Sequence, residues 1–157
     1  NAQTKEAHAS IRDFGDRINP DAAKNPRAAA AEETILGLLL LYPEQRDAIL
    51  SGQVPLTADD FATAFSRRAF DAIMRLHGED GGFVFSLLGA DFTADEMGRL
   101  QSLEVNRRSL TDNGVKVLNE AVSVLHGAKS GAAEKSLGDA LEEKRKKLAA
   151  QRQKNQK

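Results

Sequence analysis

The chain contains no cysteine and no tryptophan. Without cysteine there is no disulfide, no thiolate nucleophile and no cysteine-ligated zinc or iron–sulfur centre, and the composition fits a reducing compartment such as the cytoplasm. Long hydrophobic runs are absent too. The longest apolar stretch is residues 35–41, interrupted by Gly37, far short of the ~20 residues a membrane-spanning helix needs. The N-terminus, Asn1-Ala2-Gln3-Thr4-Lys5-Glu6, lacks Met and any signal-peptide pattern. It reads as a cut within a longer protein, with chemistry expected upstream.

Clustered catalytic or metal-ligating side chains are equally scarce. His8, His77 and His126 are far apart, and none begins a His-Glu-x-x-His spacing. His77 and His126 fall near expected helix C-termini, where the helix dipole favours a cation. Gly78, Gly81 and Gly82 lack the strand before them and the Lys-Ser/Thr after them that a phosphate loop requires. The acid pairs Asp59-Asp60 and Glu79-Asp80 read as exposed helix-end charges rather than a Mg²⁺ site. No catalytic residue, metal or cofactor is therefore expected in this chain.

Helical signals are abundant. Asn25-Pro26 is an N-cap-then-Pro start, and the Ala- and Leu-rich run at 27–41 predicts a centrally buried helix. Pro43 restarts a second helix that stops near Gly52. Thr57 caps a short turn through Asp60. Phe65, Ala69, Phe70, Ile73 and Met74 give a helical stripe over 66–77. The run Phe83-Val84-Phe85-Ser86-Leu87-Leu88 has no second strand to pair with and reads as an extended entry to a short helix. Thr93 and Glu96 form a capping box. Leu36, Leu39, Leu40, Phe61, Phe70, Ile73 and Leu100 are the expected shared core. The fold class is all-α: a multi-helix bundle followed by a C-terminal helical hairpin or one long helix. The segments are 1–25, a linker that includes a short helix within residues 2–14; 26–110, the bundle; and 111–157, the arm.

Charge is uneven although the net is −1. Residues 128–157 are rich in Lys and Arg, with the run Lys144-Arg145-Lys146-Lys147 abutting Glu142-Glu143, and carry no aromatic side chain for base stacking. That run suits a nucleic-acid patch and a solvated helix face equally. Arg67-Arg68 and Arg107-Arg108 read as ion pairs and packed stems rather than phosphate ligands.

One ordered set of segments resembles a known family. It comprises Gly15-Asp16-Arg17-Ile18-Asn19-Pro20, then Ala28-Ala29-Ala30-Ala31-Glu32-Glu33-Thr34-Ile35-Leu36-Gly37-Leu38-Leu39, Asp60-Phe61, Phe65-Ser66-Arg67-Arg68-Ala69-Phe70, Phe92-Thr93-Ala94-Asp95-Glu96-Met97-Gly98-Arg99-Leu100 and Leu110-Thr111-Asp112-Asn113-Gly114. In order and spacing it is similar to the C-terminal helicase-binding region of bacterial replicative DNA primase, the clostridial type especially, across residues 15–126. The resemblance implies a primosome component. The parent would make RNA primers with zinc and Mg²⁺ held in upstream domains. This region would dock on the N-terminal domains of the hexameric replicative helicase, and the fragment itself would be a monomer.

On that reading a hairpin of residues 111–127 and 132–153 carries the interface. The candidate helicase-binding residues are Val117, Ala121, Val124, Leu137, Leu141, Lys144 and Arg145. Gly127, Gly131 and Gly138 interrupt the second arm, so the alternative is one long helix ordered on contact. Two further functions compete: an assembly domain of the helicase itself, which shares the bundle fold, and a helical nucleic-acid binder using the basic tail.

Overall fold

The computed structural model describes the backbone of residues 16–155 and the side chains of 16–130 and 144–149; the expected short helix within residues 2–14 lies outside this range. Five α-helices follow in order: α1 (Pro26–Leu41), α2 (Pro43–Leu50), α3 (Ala64–Leu76), α4 (Ala94–Arg108) and α5 (Val115–Asn155). Single 3-10 turns lie at Pro20–Ala23, Ala58–Asp60 and Phe85–Ala90, and there is no strand among the described residues. The fold is the all-α bundle that the periodicity predicts.

Helix α1 is the hub. It packs against α2, α3, α4 and α5, and every residue from Ile35 to Leu40 is buried. A helix apolar on all sides is stable only when covered on all sides. Close approach of α4 depends on Gly37, where a Cβ would lie 2.9 Å from the Leu103 carbonyl oxygen and 2.9 Å from the Arg107 Cβ. The glycine that interrupts the apolar run is thus a contact point, not a break.

Helix α3 contributes Phe65, Ala69, Phe70 and Ile73. The Phe61 and Phe70 rings lie 4.9 Å apart, and Phe65 meets Phe92 edge-to-face at 6.0 Å, within the range in which aromatic pairs add to burial alone. Leu36, Leu39, Leu40, Phe61, Phe70, Ile73 and Leu100 all join one buried cluster. The segment after Gly82 enters extended at Val84 and closes into the short turn. The Thr93–Glu96 capping box forms in both directions.

Two boundaries differ from expectation. Residues 16–25 are not a free linker but are bonded to the bundle. The Asp16 carboxylate accepts from the N–H groups of Ile18 and Asn19 and from Arg99 of α4, the last at 2.5 Å. Asn19 is buried, and its Nδ2 donates to Thr63 Oγ1, whose hydroxyl donates to the fully buried Glu32 at 2.5 Å. Glu32 also accepts from the Ala62 N–H, and Asp21 from the Ala64 N–H at the start of α3. Low apolar content in this segment signals polar attachment, not detachment. Asn25 stands at the α1 N-cap position without a side-chain cap bond; its Nδ2 donates to the Asp21 carbonyl instead.

The second concerns the arm, where of the two expected forms the one long helix is found and the hairpin is not. Helix α5 starts at Val115, after Asn113-Gly114 rather than directly after Thr111-Asp112, and continues unbroken for 41 residues. Gly127, Gly131 and Gly138 do not interrupt it. A helical glycine costs about 1 kcal/mol relative to alanine but imposes no turn. The only positive-φ glycines among the described residues are Gly52 and Gly81, and the last proline is Pro55. No element of the second half therefore compels a reversal.

Candidate functional site

The first third of α5 belongs to the bundle. Leu118, Ala121, Val122 and Leu125 are buried, chiefly against α1. At 100° per residue these four fall within about 100° of helix circumference. Val117 and Val124 flank that face, half-buried against the core. Val124 also borders a cleft of about 330 Å³ with Arg27, Ser123, Gly127 and Ala128, at the point where α5 leaves the bundle. Beyond this point the helix continues as a single arm. Its last residue, Asn155, stands 30 residues after Leu125, about 45 Å at 1.5 Å per residue.

The seven sequence-derived interface positions therefore do not form one surface. Ala121 is covered by the bundle and unavailable to a partner. A hairpin would have faced Val117, Ala121 and Val124 toward Leu137 and Leu141. On one continuous helix, positions 137 and 141 lie roughly 100–160° around from the first three, and about 30 Å further along. Lys144 and Arg145 follow, exposed, as are Lys146, Lys147 and Leu148. What remains for a partner is the distal arm, in which positions 137, 141 and 148 share a face.

The two arginine pairs and Asp60, singled out from the sequence, are engaged within the bundle. Arg67 donates to the Phe61 and Ala58 carbonyls. Arg68 pairs with Glu96 at 2.8 Å and lies over the Phe92 ring. Arg107 donates to the Asn113 side chain and the Asp112 carbonyl, and Arg108 pairs with Glu104. Both arginine pairs thus shape loops and helix ends. Asp60 accepts from Thr57 and faces His126 at 3.4 Å and Lys129 at 3.6 Å, tying α5 to the Ala58–Asp60 turn. Among the described residues, no group of three or more His, Asp or Glu is placed to hold a metal ion.

No family model, no curated protein and no solved structure matches this chain.

Sequence reasoning missed Arg46. It lies in α2 with only 2% of its surface exposed. Its guanidinium donates to the Leu39 carbonyl at 2.5 Å, the Gly81 carbonyl at 3.0 Å and His77 Nδ1 at 2.8 Å, and it stacks 4.9 Å from the Phe83 centroid. The Leu39 carbonyl is one of the four left unpaired at the C-terminus of α1, so Arg46 caps that helix with positive charge. Arginine only donates, so His77 Nδ1 accepts. The His77 proton then sits on Nε2, 2.9 Å from Asp47 Oδ1. Burial lowers the Arg46 pKa from its usual value, against the raising effect of Asp47 and Glu44. This cluster fixes the Gly78–Phe83 loop; it is structural. Nothing local marked it, since Arg46 stands among Glu44, Gln45 and Asp47 in the same short helix.

Proposed function

We propose that this chain is the helicase-interaction module of a bacterial DNA primase, holding the primer-synthesising enzyme at the replication fork through its helical arm. The observation that carries the reading is where the resembling segments meet. Asp16 of the first bonds Arg99 of the fifth, and Asn19 reaches Glu32 of the second through Thr63. Phe61, Phe65, Phe70, Phe92 and Leu100 pack together. Segments scattered over a hundred residues thus determine one another's placement, as a set defining a domain would.

On this reading the distal arm, with Leu137 and Leu141 one turn apart, lies against a partner helix in the manner of helix-in-groove recognition. The contribution of Val117, Ala121 and Val124 is to anchor the arm, not to touch the partner. Primer synthesis belongs to upstream domains with their own zinc and Mg²⁺. The purified 157-residue chain should accordingly incorporate no nucleotides on a template with Mg²⁺; incorporation would contradict the proposal.

Sedimentation of the chain alone and with a hexameric bacterial replicative helicase tests the docking. The expected result is a monomer that co-sediments with the hexamer. Ring formation by the chain alone would point instead to an assembly domain of the helicase.

A further inference from the structure

The basic run at the end of the arm is separated from the rest of the molecule in both charge and space. Residues 144–157 contain seven Lys or Arg and no Asp or Glu. Residues 16–130, which include the bundle, carry 12 Lys or Arg against 17 Asp or Glu, a net −5. An acidic body with a cationic tip would ordinarily collapse on itself. The continuous helix prevents this. Lys144 stands 15 residues beyond Lys129, which pairs with Asp60 of the bundle, about 22 Å along the axis and more than two Debye lengths at physiological salt (~8 Å each). The tip cations are screened from the acidic bundle and held away from it.

We propose that this tip is a sequence-independent binding site for the phosphate backbone of double-helical DNA. Two observations favour DNA over an acidic protein surface, and a third favours a duplex over single strands. The first is angular distribution. Lys144, Arg145, Lys146 and Lys147 are consecutive and exposed, so at 100° per residue they surround the helix rather than line one side of it. A flat acidic surface meets one side only; a groove walled by two rows of phosphates meets both. The second is size. A helix with its side chains is about 10–12 Å across, and the major groove of B-DNA is about 12 Å wide. The third is chemistry. The tip offers charge without aromatic rings, so it contacts phosphates but has nothing on which unpaired bases stack. Glu142 and Glu143, one turn before Lys146 and Lys147, offset part of the charge and still leave +5 over residues 142–157. The site stands apart from the docking reading, because it depends on the cations after residue 143 and not on positions 137 and 141.

The test is fluorescence anisotropy of a labelled 20-base-pair DNA duplex titrated with the 157-residue chain between 50 and 200 mM salt. Four phosphate contacts predict a slope of log K against log salt near −3.6, from about −0.9 per contact. Replacing Lys144, Arg145, Lys146 and Lys147 together by Gln keeps helix propensity. It should weaken binding at least tenfold at 50 mM salt and flatten the slope, with the far-ultraviolet dichroism unchanged. Duplex RNA, whose deep and narrow major groove excludes a helix, should bind more weakly than duplex DNA. Unchanged duplex binding by the quadruple Gln chain would overturn the proposal. So would tighter binding to single strands than to duplex. Polyglutamate competing as well as DNA at equal charge would also overturn it, and would assign the tip to an acidic protein surface.

Discussion

Arg46 offers the sharpest test of how the bundle is held together. Replacing it with Met keeps much of the stem volume and deletes the guanidinium. Three acceptors lose their donor: the Leu39 carbonyl, the Gly81 carbonyl and His77 Nδ1. Only the Leu39 bond is fully buried, and an orphaned buried acceptor costs about 1–3 kcal/mol; the part-buried His77 and Gly81 acceptors add less each, for a gross loss of about 2–6 kcal/mol. Against this, the variant no longer holds a cation out of water, a penalty of several kcal/mol in its own right. Water also reaches the exposed Asp47 side of His77. The net expectation is a loss of about 2–4 kcal/mol, at the lower end of the gross range because the two effects oppose. Lys at this position supplies a point charge that reaches fewer of the three acceptors, so Arg46→Lys should fall between the two. The assay is urea unfolding followed by circular dichroism at 222 nm, since the chain lacks tryptophan. Stability within about 0.5 kcal/mol of the parent, the ordinary range for surface substitutions, would refute the capping role assigned to Arg46.

Further outcomes follow from the same packing. Gly37→Ala gains about 1 kcal/mol of helix propensity but forces a Cβ against the Leu103 carbonyl, and overpacking typically costs about 1–3 kcal/mol, so it should destabilise. Gly98→Ala on α4, where a Cβ meets nothing within 4 Å, should instead stabilise by up to about 1 kcal/mol on chemical denaturation. Acid should weaken the fold. Burial pushes the Asp16 carboxyl up, but bonds from Arg99 and from the N–H groups of Asn19 and Ile18 outweigh it; Asp60 is likewise held low by Thr57, His126 and Lys129, and Glu96 chiefly by Arg68. All three titrate below the unfolded range near pH 4, so their contribution is complete above that range and is lost as pH falls through the folded values. Glu33 has the opposite sign, raised by burial, so Glu33→Gln should be neutral or stabilising at pH 7. Midpoints measured from about pH 7 down to pH 2.5, for the parent and for Glu33→Gln, check both signs. In hydrogen exchange, amides around Leu39 should be the slowest and those beyond Gly127 fast, since that half has only Leu137, Leu141 and Leu148 as large apolar residues.

The fold was largely legible because its signals were local. Pro26 and Pro43 start helices, Thr93 with Glu96 caps one, and the stripe from Phe65 to Met74 marks one face. What escaped was long-range polar structure. Asn19, Glu32 and Arg46 look like surface residues in sequence, because nothing local tells a solvated side chain from one that has a partner 30 or more residues away. The attachment of residues 16–25 was missed for that reason. Of the two forms expected for the arm, the interface was built on the hairpin, whereas the long helix is the one that forms. Three glycines weaken a helix without forcing it to turn, and no proline or positive-φ glycine marks a reversal between Gly127 and Gly138. As a result the candidate interface was assembled from positions that one straight helix places on different faces. Lys144 and Arg145, read from charge alone, are exposed as anticipated.

The central claim, that the distal arm docks on the replicative helicase, is tested most directly by titrating labelled helicase N-terminal domain against three chains. These are the parent, Leu141→Asp and a chain ending at residue 127. The account predicts at least tenfold weaker binding for Leu141→Asp with unchanged melting of the bundle, and no saturable binding by the shortened chain. Unchanged affinity for both would remove the arm from the interface and contradict the assignment.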